Sequence, residues 1–86
     1  MLSESEVVSI VKAMLVDDMD LGLDAANIDA STPLFEDGLD LDSIVIVELI
    51  SLVEQRFGFE FQDSDLRMAM FENLAALAKV IQERAP

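Results

Sequence analysis

Apolar residues near the start of the chain fall at Val7, Val8, Ile10, Val11, Met14 and Leu15, the spacing of one buried helical stripe. Ser3 and Glu6 stand three residues apart just before that stripe, in the pattern of a capping box. A first helix is therefore predicted from about Ser3 to Leu15 or a few residues beyond. From Asp17 to Asp42 the periodicity breaks up. Gly22, Pro33 and Gly38, with Asn27, Asp29, Ser31 and Thr32, are turn and loop formers, while Leu21, Leu23, Ile28, Leu34 and Phe35 are spaced irregularly. The scattered apolar positions predict an ordered loop pinned over the core, with one short turn near Ala25.

Ile44-Val45-Ile46-Val47 are all β-branched, which favours a strand. Length decides against one: the apolar run continues through Leu49, Ile50, Leu52, Val53 and Phe57, and Gly58 follows as a helix C-cap would. A second helix is predicted over Ser43 to Phe57. On its wheel Ile46, Leu49, Ile50, Val53 and Phe57 share the core side, and Glu48, Ser51 and Gln55 share the opposite side with Ile44 among them. Phe59-Glu60-Phe61 reads as an extended connection whose aromatics close the bundle. A short third helix is expected over Asp63 to Met68, with Asp63, Ser64 and Asp65 as cap candidates. Phe71, Leu74, Leu77, Ala78 and Ile81 mark a last amphipathic helix ending near Arg84, before Pro86. The pattern predicts an all-α fold, a four-helix bundle with a long ordered loop between helices one and two and a short third helix, forming a single domain over residues 1–86.

Composition agrees with packed helices. Of the 86 residues, 52% are apolar and only 6% aromatic, so aliphatic side chains carry the core. The formal charge of −13, from 18 acidic and 5 basic residues, excludes nucleic acid as a partner because binding the phosphate backbone needs the opposite sign. Nine carboxylates and no cation lie between Asp17 and Asp42, a field that steers basic partners toward the front half of the chain. There is no Cys and no His, so Ser-His-Asp and Cys-His catalysis are impossible with the chain's own residues. No secretory pattern opens the sequence and no apolar run approaches the ~18 residues of a membrane span. A cytoplasmic protein with no membrane association is expected, and a monomer.

Asp42-Ser43 is the candidate for chemistry. A helix N-terminus offers backbone N–H groups without intrahelical partners and a partial positive charge, so it seats either a plain N-cap or a phosphate esterified to Ser43. Calcium binding of the EF-hand kind fails in both available registers. From Asp37 the third and fifth positions are Leu39 and Leu41; from Asp18 the fifth and sixth are Gly22 and Leu23. Acid–base work by paired carboxylates has no evident pocket. No metal site and no catalytic residue are expected.

Asp42-Ser43-Ile44, followed by Val47-Glu48-Leu49 and Phe57-Gly58, resembles the acyl carrier protein family, whose signature is Asp-Ser-Leu or Asp-Ser-Ile at the start of the second helix. The resemblance extends over Ile28 to Phe35 and Phe71-Glu72-Asn73-Leu74. It implies a four-helix bundle without catalytic activity that carries acyl or aminoacyl groups as thioesters on 4′-phosphopantetheine esterified to Ser43. A chain without Cys must import the thiol that holds a thioester, and without a base near Ser43 a separate phosphopantetheinyl transferase must install it. By resemblance Asp42 helps that transferase bind Mg²⁺ and orient Ser43. Glu48 and Glu54 match acidic positions that meet basic patches on acyl-processing enzymes, and Ile44 and Val47 match apolar positions of the same face, to which Ser51 also belongs. Two departures stand out: Asp40 occupies a position that is often Gly, and Val45 one that is commonly acidic in carriers of primary fatty acid synthesis. Asp40 adds charge beside the attachment point without removing the motif, and Val45, which makes the start of helix two less acidic, leans toward a polyketide, aminoacyl or peptidyl carrier of a specialised pathway. The alternative is an unmodified acidic helical module that binds a basic partner.

Overall fold

A computed structural model describes residues 2–35 and 38–85; Glu36 and Asp37, two of the loop carboxylates, lie outside it with Met1 and Pro86. The first helix, α1 (Glu4–Ala13), starts on the predicted capping box: Ser3 Oγ accepts from the Glu6 N–H at 3.1 Å, and Glu6 Oε1 accepts from the Ser3 N–H at 3.1 Å. The chain then widens into a π-helical turn, Met14–Asp18, closed by the Met19 N–H on the Met14 carbonyl at 3.0 Å. That wider turn re-registers the stripe, so Met14, Leu15 and Met19 are all buried below Val7 and Val11.

Over the described residues of the loop, buried apolar side chains and local polar contacts fix the path of the chain. Asp24 caps a 3₁₀ turn at Ala25–Asn27. Asp29 Oδ1 accepts from the Ser31 N–H, the Ser31 hydroxyl and the Thr32 hydroxyl at 2.9, 2.7 and 3.2 Å, and these bonds hold its carboxyl below the usual range, the Ser31 pair most strongly. Ile28 and Leu34 sink into the core. The Ala30 carbonyl accepts from the Ala75 N–H at 2.9 Å, which satisfies an orphan donor of the last helix and ties the loop to it.

The second helix, α2 (Ser43–Phe57), has the predicted bounds and buries Ile46, Leu49 and Val53, with Ile50 and Phe57 half-buried beside them. It ends on Gly58 at φ +73°, where the Gly58 and Phe59 N–H groups return to the Glu54 carbonyl. A side chain would be strained there, which is why glycine stops the helix. Phe59 and Phe61 stack edge to face at 4.8 Å between centroids, and Phe61 is buried.

The expected short helix over Asp63 to Met68 is not formed. Asp63–Asp65 make a turn, and the helical hydrogen bonds shift downstream to a 3₁₀ turn at Met68–Phe71. Two forces move it. Asp65 is taken by a bidentate pair with Arg84, at 2.7 and 3.0 Å, and by the Gln62 N–H at 2.9 Å, so it does not cap a helix running forward. Met70 and Phe71 are buried, which draws the turn that contains them onto the core. The last helix, α3 (Leu74–Arg84), is capped by Asn73 Oδ1 on the Ala76 N–H at 2.8 Å and packs Leu74, Leu77, Ala78 and Ile81 inward, mainly against α1. Among the described residues the fold is thus all-helical, with three α-helices and no strand; in place of the predicted short third helix stand a turn and a 3₁₀ segment. No helix there is long and apolar enough to cross a membrane.

Candidate functional site

Ser43 owes its position to hydrogen bonds that tie Gly38, Leu39, Asp40 and Leu41 back onto Pro33, Leu34 and Phe35. The Leu39 N–H bonds the Pro33 carbonyl, the Gly38 and Asp40 N–H groups bond the Phe35 carbonyl, and the Leu41 N–H bonds the Leu34 carbonyl, each at 2.9 Å. A Cβ on Gly38 would overlap the Pro33 carbonyl, so this crossing requires a residue without one. Leu34 and Leu41 are buried and anchor the two ends. Between Leu39 and Leu41 the chain reverses through Asp40 at φ +53°, a left-handed conformation that costs a non-glycine residue roughly 1 kcal/mol or more. The departure from glycine noted in the sequence therefore sits where glycine would fit best.

Asp42 is the N-cap of α2. Its Oδ1 accepts from the Val45 N–H at 2.9 Å, and its own carbonyl accepts from the Ile46 N–H at 3.0 Å. Ser43 is the first helical residue and is exposed. Of the two N-cap candidates that the sequence offers, Asp42 caps the helix and Ser43 does not. Among the described residues the Ser43 hydroxyl has no hydrogen-bond partner, and neither do the Ser43 and Ile44 backbone N–H groups. A phosphodiester fits here, because the oxygen is accessible, two amide donors are open and the positive end of the α2 dipole lies behind them. The carboxylates of Asp40 and Asp42 oppose a further negative charge, so the fit rests on those donors.

Ser43 also lies on the wall of a cleft of about 590 Å³, lined by Pro33, Phe35, Asp40, Leu41, Met68, Phe71 and Glu72 besides Ser43 itself. Phe35 and Phe71 meet edge to face at 6.2 Å on one side of it. A volume of this size is within the range of small-molecule sites. Met68, 71% exposed at its mouth, escaped the sequence reading, which placed it at the end of a helix and gave it no role. No periodicity marks it, because it belongs to an irregular connection.

The remaining predicted positions fall on one exposed face of α2. Ile44 and Val47, 77% and 66% exposed, lie one turn apart, with Glu48 and Ser51 exposed beside them. Ser51 Oγ accepts weakly from Gln55 Nε2 at 3.4 Å. Glu54 differs from these: it is half-buried, and Oε2 accepts from the Phe61 N–H at 2.8 Å, so its carboxylate holds the chain leaving α2. Among the described residues no group of three or more acidic side chains is arranged to hold a metal ion.

The family model described as "Phosphopantetheine attachment site" matches residues 11–81, which takes in the π turn, the loop, α2 and most of α3. Curated relatives agree. The acyl carrier protein of Chlamydia muridarum (strain MoPn / Nigg) is 35% identical over 74 residues, 86% of this chain and 90% of the relative. That of Petrotoga mobilis (strain DSM 10674 / SJ95) is 34% identical over 76% of this chain and 73% of its own, and that of Solidesulfovibrio magneticus (strain ATCC 700980 / DSM 13731 / RS-1) is 42% identical over 64% and 67%. With an all-helical fold, an open serine on the first turn of α2 and these likenesses over most of its length, the chain belongs to the acyl carrier protein family, whose members carry acyl groups on phosphopantetheine.

Proposed function

We propose that this chain is a stand-alone carrier whose Ser43 hydroxyl is esterified by 4′-phosphopantetheine, and that it delivers acyl or aminoacyl thioesters to partner enzymes without catalysing their chemistry. The observation that carries the reading is the exposed, unbonded Ser43 hydroxyl on the first turn of α2, beside two open N–H donors and a cleft. The arm supplies the thiol that the chain lacks; the chain supplies the hydroxyl, the amide donors and an anionic surround. Asp42 positions Ser43 by capping α2, and its second carboxylate oxygen is left for a Mg²⁺ ion brought by the transferase.

Docking of the transferase and of acyl-processing enzymes with basic patches falls to Ile44, Val47, Glu48 and Ser51, where two exposed apolar side chains share a face with the Glu48 carboxylate. Glu54 belongs to this surface through the shape it imposes on the end of α2, since its carboxylate is already engaged. A specialised polyketide or nonribosomal peptide type pathway is favoured by Val45: where primary carriers commonly have an acid, this side chain is half-buried and packs toward the core. The cytoplasm is the proposed place of work, and a monomer the proposed state.

Incubation with coenzyme A, Mg²⁺ and a promiscuous phosphopantetheinyl transferase, followed by intact-mass spectrometry, tests the reading. One arm is expected per chain, and none on Ser43→Ala. An arm retained on Ser43→Ala refutes the site. No mass gain, together with salt-sensitive binding of a basic partner, supports the unmodified interaction module instead.

A further inference from the structure

Resting on the carrier reading of Ser43, we propose that the cleft beside it discriminates cargo by charge, retaining thioester cargo that bears an ammonium group and turning away cargo that bears a carboxylate. The floor and walls are apolar, from Phe35, Leu41, Phe71 and Met68, and the only ionisable groups lining the cleft among the described residues are the carboxylates of Asp40 and Glu72. Arg67, the cation adjacent to Met68 in sequence, is turned elsewhere: its Nε donates to the Ser64 carbonyl at 2.7 Å, and the side chain lines a separate groove with Asp65 and Lys79. Among the described residues lining the cleft no cation neutralises the two carboxylates, and the chain as a whole adds its net charge of −13.

Asp40 is the more telling of the pair. It holds its place at φ +53°, where glycine would be unstrained, and this puts a carboxylate where the backbone alone would suffice. An apolar body seated on Phe71 and Met68 with an ammonium toward Asp40 or Glu72 gains a surface ion pair, worth up to about fivefold in the folded-back population. A carboxylate in the same place meets repulsion of the same order, so the two cargo classes are separated by up to about 25-fold while neutral cargo lies between them.

The test loads the chain through the transferase with pantetheine analogues whose thioester is replaced by an amide, ending in neutral, ammonium-bearing or carboxylate-bearing acyl groups of equal length. Intact mass confirms loading first; absence of loading overturns the carrier reading itself, whatever the charge order. With the arm in place, nuclear Overhauser contacts from cargo to the Phe71 ring and the Met68 methyl are expected in the order ammonium, neutral, carboxylate. That order is expected to flatten in the Asp40→Gly/Glu72→Gln double variant and in high salt. Equal contacts for the three cargoes, or the carboxylate leading, overturn the inference, as does an order that survives in the double variant. Asp40→Gly keeps the left-handed backbone and Glu72 is exposed, so the double variant is expected to fold.

Discussion

Replacing Asp42 in two ways separates its part in the fold from its part in modification. In the structure one carboxylate oxygen bonds the Val45 N–H at 2.9 Å, and the charge sits at the positive end of the α2 dipole. Loss of a capping side chain costs about 1 kcal/mol, and loss of a negative charge at an exposed helix N-terminus about 0.5 kcal/mol. Removing one of several crowded acids returns a few tenths through reduced repulsion, so Asp42→Ala is expected to destabilise by roughly 1–1.5 kcal/mol. For a domain of this length that lowers Tm by roughly 4–12 °C. Asp42→Asn keeps an oxygen for the Val45 N–H and loses only the charge, so it should remain within about 0.5 kcal/mol of the parent. The rate of phosphopantetheine transfer should nevertheless fall in both variants, because neither offers a carboxylate to Mg²⁺. Urea unfolding followed by circular dichroism at 222 nm gives the stabilities, and timed intact-mass measurements give the rates. An Asn variant as unstable as the Ala variant refutes the capping argument; an Asn variant modified at the parental rate refutes the role in transfer.

Other perturbations read other links. Glu54→Ala strips the acceptor from the partly buried Phe61 N–H and should cost about 1–3 kcal/mol in urea unfolding, whereas Glu54→Gln, which retains an acceptor, should cost less; equal and negligible costs would leave Glu54 a surface charge. Gly38→Ala drives a methyl into the Pro33 carbonyl and should loosen the 33–41 loop. Faster amide hydrogen exchange at Leu39, Asp40 and Leu41 reports this, and unchanged exchange contradicts it. Asp65 has its pKa lowered, chiefly by the Arg84 hydrogen bonds and then by the Gln62 N–H. A carboxyl with a depressed folded-state pKa contributes stability that is present above its unfolded value, about 4, and lost as pH falls through the folded value. The advantage of the parent over Asp65→Asn should therefore be full at neutral pH and vanish in acid; an advantage independent of pH argues against the ion pair.

Helices α1, α2 and α3 were legible in the sequence because their signals are local. Ser3 with Glu6, Asp42 ahead of an apolar run, Gly58 after it and the stripe from Leu74 to Ile81 act within a turn or two of the chain, and the structure uses each as predicted. The exposure of Ile44 follows likewise from the wheel of α2, whereas Val47 was assigned to that face only through the family resemblance. The segment from Asp63 to Met68 was not legible, since its outcome depends on a contact 19 residues away. Its cap candidates are indistinguishable in sequence until Arg84, delivered by α3, selects Asp65 and commits it to a turn.

Glu54 shows the same limit. As a sequence position it is one more acid on an acidic surface, and only the return of the chain past the end of α2 brings the Phe61 N–H within 2.8 Å of it. The cleft beside Ser43 is likewise a product of packing, because Phe35, Met68 and Glu72 come from segments that no periodicity relates to one another. Local hydrogen bonds and helical spacing thus determine where this chain is helical and which serine leads α2, being interactions that close over a few residues. What surrounds that serine, and which charges remain free to act there, is decided by long-range burial and ion pairing, which exist only once the helices have met.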